Sequence, residues 1–207
     1  MGSNRGSLQG DGAEIMRTPD QFIADAAKDG ETRSGIILGI RMALRALKEL
    51  GIEDMSQERR RLAVFVEIDR CLPDAIQIVT GCRLGNRTLK FRDFGKMAAT
   101  FVDLRTNRAM RIAALDGVRQ KAAALPSEKQ KEDTLRHEYR MRPDEELFQC
   151  DWVRVTLSPE ELPGARRDRV PCAECGEWIG LGRQVVHAGK TMCRYCAGEA
   201  YYTRLTP

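Results

Sequence analysis

The sequence lacks the features that would place it in a broad functional class at once. Its apolar runs are far shorter than the ~20 residues that cross a bilayer, and residues 1–16 contain no apolar stretch of the signal-peptide kind. The net charge is only +4, from 34 basic and 30 acidic side chains, so composition alone does not indicate a nucleic-acid-binding protein. We therefore expect a soluble, cytoplasmic protein that does not contact membranes.

Length and composition are those of an ordinary globular chain. The 207 residues are 42% hydrophobic and 31% charged, which is enough apolar material for a buried core in one or two domains. Residues 1–17 are rich in Gly, Ser and Asn and are expected to be disordered. The remaining chain divides into a core over 18–116, a helical connector with a return strand over 117–163, and a cysteine-containing module over 164–207.

Capping residues predict two helices at the start of the core. Thr18 and Gln21 form a capping box around Pro19, which predicts a helix that runs to about residue 28. Apolar residues at helical spacing predict a second helix over 35–50, and Gly51 stands where a C-cap belongs.

The residues that follow predict a small sheet. β-Branched and aromatic residues predict a strand over 62–68, and a short helix opens at Pro73 and closes at Gly81. Further strands are predicted over 88–91, over 97–104 with 109–115 as a hairpin, and over 152–157 at the sheet edge. This order predicts an α+β fold with helices packed on one face of a small mixed or antiparallel sheet, not a doubly wound α/β fold.

Four of the seven cysteines lie in the last 36 residues and carry the strongest chemical signal. They form two CxxC pairs separated by seventeen residues, a spacing typical of a four-cysteine zinc site. A disulfide pair would need an oxidising compartment, and a redox CxxC would need a βαβ context that this segment lacks. We therefore predict a zinc ribbon whose closed, structural zinc is bound by Cys172, Cys175, Cys193 and Cys196.

The same module is rich in basic and aromatic side chains. The aromatic residues are expected to form the small core of the ribbon, although basic and aromatic side chains together also suit contacts with nucleic acid. The residues concerned are Arg166, Arg167, Arg169, Arg183, Lys190 and Arg194, with Trp178, Tyr195, Tyr201 and Tyr202.

Two further cysteines flank the short helix of the core. Cys71 precedes the helix, Cys82 follows it, and Asp74 lies in its first turn. A thiol near a helix N-terminus has its thiolate form favoured, so these three residues are candidates for catalysis, and the two cysteines for a second metal site. The alternative is that both cysteines only pack in the core.

This central region resembles the FmdE family of formylmethanofuran dehydrogenase subunits and their stand-alone relatives. The resemblance lies in Cys71 with residues 74–77, in Thr80-Gly81-Cys82, and in Asp93-x-Gly95-Lys96, and it extends over about 20–205. It implies an α+β core with a mixed sheet, a C-terminal zinc ribbon, homodimerisation, and a genomic association with molybdenum or tungsten enzymes.

The chain departs from that family just before the second helix. Family members usually read His-Gly-His-x-Cys-Pro-Gly there, and this chain reads Asp29-Gly30-Glu31-Thr32-Arg33-Ser34-Gly35. Three alternatives follow: the core site has lost its metal, it has been repurposed with Asp29 and Glu31 as harder ligands, or Arg33 lies where the ion lay. The candidate cleft residues are Asp29, Glu31, Arg33 and Lys96.

Three functions follow from these patterns. The leading hypothesis is a zinc-binding accessory or regulatory protein that binds a small ligand, metal or partner in the core cleft. The first alternative is an enzyme that uses core cysteines and carboxylates around a metal or anion. The second is a nucleic-acid-binding regulator that acts through the basic ribbon.

Overall fold

Six helices and nine strands alternate along the part of the chain that this computed structural model describes, namely residues 17–27, 32–53, 55, 58, 60–164, 168–180 and 182–205. The disorder prediction for residues 1–17 falls outside that part except at Arg17. The elements are α1 (Pro19–Ala26), α2 (Ser34–Leu50), β1 (Leu62–Val66), α3 (Cys71–Thr80), β2 (Leu89–Phe91), β3 (Ala98–Asp103), β4 (Ala109–Ala114), α4 (Gly117–Ala123), α5 (Glu128–Met141), α6 (Asp144–Leu147), β5 (Phe148–Val153), β6 (Val170–Pro171), β7 (Trp178–Ile179), β8 (Val185–His187) and β9 (Lys190–Met192).

The helix ends follow the local capping signals. Both halves of the Thr18–Gln21 capping box are present, and α2 and α3 end at glycines in the left-handed region, Gly51 and Gly81, each with φ of 67°. Helix α3 begins at Cys71, two residues before the predicted start at Pro73. Proline is tolerated there because the amides of the first helical turn have no partner within the helix.

The main sheet has five strands in the order β2-β1-β3-β4-β5. Strands β1 and β2 run parallel, and the other neighbouring pairs are antiparallel, so the sheet is mixed. The predicted hairpin is confirmed by β3 and β4, in which Val102 lies opposite Ala109. The return strand begins at Phe148, four residues before its predicted start, and forms the sheet edge.

The main core lies between the helices and one face of this sheet. Helix α2 is its centre, since it packs on α1, α3, α5 and β4. Side chains from β1, β3 and β4 complete the same apolar cluster. This arrangement confirms the predicted α+β fold. Among the described residues, no helix combines the length and the apolarity needed to span a membrane.

The charged segment after the sheet packs against α2 through specific contacts. Leu135 and Tyr139 of α5 are buried in the main core. The Glu132 carboxylate accepts hydrogen bonds from the Ser34 backbone amide (2.6 Å) and hydroxyl (2.8 Å) at the start of α2. The Arg41 guanidinium of α2 donates to the Tyr139 carbonyl at 2.9 Å. Helix α5 thus supplies the N-terminal cap that α2 lacks locally.

Gly39 sets the close approach of α2 to α3, and enlarging it should destabilise the protein. A Cβ atom on Gly39 would lie 2.6 Å from the Ala75 Cβ and 3.3 Å from the Leu72 Cδ1, which is too close without a shift of the helices. Gly39→Ala is therefore expected to cost about 1–3 kcal/mol in the free energy of unfolding, despite the better helix propensity of alanine.

Urea unfolding tests this expectation, with Gly117→Ala as the control. A Cβ at Gly117, the first residue of α4, meets nothing within 4 Å. We expect the control to change stability by less than about 0.5 kcal/mol. A Gly39→Ala protein as stable as the wild type would show that the two helices do not depend on this contact.

Candidate functional site

The four C-terminal cysteines converge on one point. Their sulfur atoms all lie within 4.8 Å of one another, close enough to hold a metal ion, and the Cys175 and Cys193 sulfurs are 3.9 Å apart. Cys172 and Cys175 lie in the turn between β6 and β7, and Cys193 and Cys196 follow β9. Gly176 has φ of 74°, as predicted for the knuckle after the first CxxC pair. The cluster fits a zinc ribbon.

Local hydrogen bonds prepare this cluster for a cation. The backbone amides of Cys175 and Cys193 donate toward the Cys172 sulfur, the latter at 3.3 Å, and lower the pKa of that thiol to about 6. Burial and the neighbouring sulfurs raise the pKa of Cys196 to about 12. Four thiolates therefore cannot form together at neutral pH without a cation that balances their charge.

The aromatic residues of the ribbon lie outside its core, contrary to expectation. The ribbon core consists of Cys172, Ile179 and Met192. Trp178 is 60% exposed and Tyr201 is 93% exposed. The described basic residues include Arg169, which lies over the Trp178 ring at 5.9 Å, whereas Arg166 and Arg167 lie outside the described residues. The rings stay outside because the cysteines and two aliphatic side chains already fill so small a module.

A second site is a large cleft at the N-terminal end of α3. This cleft of about 1030 Å³ lies where the end of α1 and the start of α2 meet α3. Three predicted candidates come together in it: Arg33, the residue before α2, and Cys71 and Asp74 in the first turn of α3. We call it the Cys71 cleft.

The wall of the Cys71 cleft carries charges that the sequence did not single out. Asp25, Asp69 and Arg70 line it together with the apolar side chains of Ile36 and Ile78. Asp69 and Arg70 directly precede Cys71, so their position was the one available signal. Asp25 gave no signal, because only the packing of α1 on α3 brings it there.

The other predicted cleft residues lie elsewhere. Asp29 and Glu31 fall outside the described residues. Lys96 lines a separate cavity of about 240 Å³, next to Arg111 and Arg119. Of the four cleft candidates, the structure therefore places only Arg33 beside Cys71.

Cys82 lies at the opposite end of α3 from Cys71. Its side chain is 4% exposed, and its thiol points at the Leu62 carbonyl, 3.7 Å away. Burial raises the pKa of this thiol, which keeps it neutral. Since α3 is ten residues long, roughly 15 Å separates its ends. The two cysteines line different cavities, so the structure does not bring them together as ligands of one ion.

The mixed α+β core and the C-terminal cysteine cluster together define the class of protein. The family described as "FmdE, Molybdenum formylmethanofuran dehydrogenase operon" matches residues 30–149, more than half of the chain. The chain belongs to this FmdE family, which confirms the resemblance seen in the sequence.

Two individual proteins are similar to this chain. A protein of Archaeoglobus fulgidus named "Probable S-adenosyl-L-methionine-binding protein" is 29% identical over 187 residues, covering 80% of this chain and 49% of that protein. The chain thus spans about half the length of this curated relative. The crystal structure of a tungsten formylmethanofuran dehydrogenase FmdE-like protein from Syntrophus aciditrophicus is 22% identical, with a TM-score of 0.60 over 91% of this chain and 97% of that one. At this identity, the crystal structure supports the fold alone.

Proposed function

We propose that this FmdE-family chain is a zinc-containing accessory protein that binds a small charged ligand in the Cys71 cleft. The zinc is held by the four ribbon cysteines, and the ligand occupies the space between α1, α2 and α3. The carrying observation is the cleft itself, in which side chains from three helices surround a volume of about 1030 Å³.

The ribbon suits a structural zinc. Four sulfurs within 4.8 Å of one another match the compact geometry of a four-thiolate site, which is coordinatively closed. Such a zinc stabilises the fold and leaves no open position for substrate. Chemistry and ligand binding are therefore assigned to the core of the protein and not to the ribbon.

The charges of the Cys71 cleft suit a zwitterionic ligand. Asp25, Asp69 and Asp74 can pair with cationic groups, while Arg33 and Arg70 can pair with a carboxylate. Two isoleucine side chains on the same wall offer apolar contact. S-adenosylmethionine combines an ammonium group, a sulfonium group, a carboxylate and a flat base, and the name of the Archaeoglobus relative supports this choice.

Titration calorimetry with S-adenosylmethionine tests this proposal. We expect one molecule to bind per chain, and we expect Asp74→Asn and Arg33→Gln each to weaken binding about tenfold or more, since each removes a charge-assisted contact. Asp133→Asn, on an exposed position of α5, and Arg154→Gln, after β5, are the matched controls and should bind as the wild type does. Undetectable binding at millimolar ligand, or equal affinity in all variants, would overturn the proposal.

An enzyme that uses the same cleft is the second candidate. It is favoured by the position of Cys71 at the first residue of α3, with Asp74 in the same turn. In that case S-adenosylmethionine would be consumed during incubation, and Cys71→Ser would stop its consumption without abolishing its binding. Ligand recovered intact from the wild-type protein supports the binding function.

The partner hypotheses form part of the proposal. We propose a homodimer that works beside a molybdenum or tungsten oxidoreductase. The family description by the formylmethanofuran dehydrogenase operon supports such a partner.

A further inference from the structure

A second cavity lies at the C-terminal end of α3, away from the Cys71 cleft. It has a volume of about 590 Å³ and is lined by Arg60, by Thr80 and Cys82 at the helix end, and by Arg83 and Asn86 of the following loop. Its size falls within the range of small-molecule sites. We call it the Arg60–Arg83 cavity.

The charge of this cavity is positive. Arg60 and Arg83 line it, whereas no Asp or Glu does so among the described residues. The neighbouring Arg61 differs, because its guanidinium is neutralised by Asp103 at 2.8 Å and Glu58 at 2.6 Å. Within the described part of the chain, neither Arg60 nor Arg83 forms an ion pair, so two guanidinium groups at one cavity remain available to an anion.

The loop that carries Arg83 is held in place by Asn86. The Asn86 side-chain oxygen accepts hydrogen bonds from the backbone amides of Arg83 (3.2 Å) and Thr88 (3.3 Å) and from the Thr88 hydroxyl at 2.5 Å. Because all these partners are donors, the side-chain oxygen is fixed toward them. The Asn86 amino group keeps its two hydrogens for another acceptor.

The floor of the cavity does not oppose an anion. Cys82 is the buried thiol at this end of α3, and its raised pKa keeps it uncharged at neutral pH. Arg60 has φ of 72°, a conformation that a side chain other than glycine rarely adopts. That strain is retained at the cavity mouth, as is common at binding sites.

We propose that the Arg60–Arg83 cavity binds the phosphate group of a small organic phosphate ester. The two guanidinium groups pair with the phosphate oxygens, and the Asn86 amino group donates a further hydrogen bond. The volume exceeds that of one phosphate ion, so the remaining space receives the organic part of the ester. This site is independent of the ligand proposed for the Cys71 cleft.

Titration calorimetry at low salt, with inorganic phosphate, adenosine 5′-monophosphate and adenosine as probes, tests the proposal. We expect the monophosphate to bind more tightly than inorganic phosphate, and adenosine not to bind. Arg60→Gln and Arg83→Gln should each weaken binding of both phosphate probes about tenfold or more. Arg154→Gln, an exposed arginine outside the cavity, should leave both affinities unchanged.

Asn86→Asp separates binding from the fold of the loop. An aspartate keeps the acceptor for the Arg83 and Thr88 donors, but it replaces the free amino group with a negative charge. We expect unchanged thermal unfolding and at least about tenfold weaker phosphate binding. The proposal would be overturned if neither phosphate probe bound at millimolar concentration, if the arginine variants bound as the wild type does, or if adenosine bound as tightly as its monophosphate. Equal affinity for inorganic phosphate and the monophosphate would overturn the assignment to an ester.

Discussion

Loss of the bound metal is expected to unfold the ribbon while the five-stranded sheet stays folded. The ribbon contains only two-residue and three-residue strands, and its buried core is formed by Cys172, Ile179 and Met192. So small a core does not stabilise a fold without its metal. The double variant Cys172→Ser, Cys193→Ser should therefore remove roughly 10 kcal/mol of metal-binding free energy from this module.

Limited proteolysis with and without a strong chelator measures this effect. We expect rapid cleavage after about residue 164 in the chelated protein and in the double variant, whereas urea unfolding of the core should change by less than about 1 kcal/mol. Cys150→Ser, on β5 outside the cluster, is the matched control and should retain the protease resistance of the wild type. A ribbon that stays protected without metal, or a sheet that unfolds with it, would contradict this expectation.

Replacing Asp103 should cause the largest loss of stability in the core. Its side chain is fully buried and accepts hydrogen bonds from the Arg61 guanidinium at 2.8 and 3.1 Å, the Arg105 amide at 2.9 Å and the Thr106 hydroxyl at 2.9 Å. Asp103→Asn leaves the buried Arg61 with Glu58 as its remaining partner and turns a donor toward other donors. We expect a loss of about 3 kcal/mol in the free energy of unfolding.

The pH dependence of this loss has a definite sign. Burial alone would raise the pKa of the Asp103 carboxyl, but the hydrogen bonds from Arg61, Arg105 and Thr106 outweigh burial and lower it from 3.8 to about 2. Because the pKa is lowered in the folded state, the stabilisation is complete above about pH 4 and is lost as the pH falls through 2. About 2 kcal/mol of the difference between wild type and Asp103→Asn should disappear over that range.

Urea unfolding at pH 7, 4 and 2.5 measures both quantities. Asp133→Asn is the control, since the Asp133 carboxylate is half exposed and lies 3.7 Å from Arg136. An exposed pair of this kind contributes no more than about 0.5 kcal/mol at any pH. An Asp103→Asn protein that matches this control would show that the buried pair does not stabilise the sheet.

The parts of the fold set by neighbours in sequence could be predicted from the sequence. The Thr18–Gln21 capping box, the C-caps at Gly51 and Gly81, and the hairpin of β3 and β4 depend on residues a few positions apart. The cap of α2 could not be predicted, because it comes from Glu132, 98 residues after Ser34. Its contribution depends on the packing of α5, which no local pattern specifies.

The same distinction explains the candidate sites. The CxxC pairs place their own sulfurs by local turns, so the cysteine cluster was visible in the sequence. The Cys71 cleft was visible only in part, since Asp25 reaches it through the packing of helices. Cys71 and Cys82 lie close in sequence but at opposite ends of a rigid helix, and the rise of α3 separates them.

The zinc content per chain, measured by elemental mass spectrometry on matched variants, tests the central claim most directly. That claim assigns the metal to the ribbon and the ligand to the Cys71 cleft. We predict one zinc ion per chain in the wild type and in Cys71→Ser, and none in the Cys172→Ser, Cys193→Ser double variant. A metal ion that persists in the double variant and disappears in Cys71→Ser would contradict the account, because it would place the metal in the core.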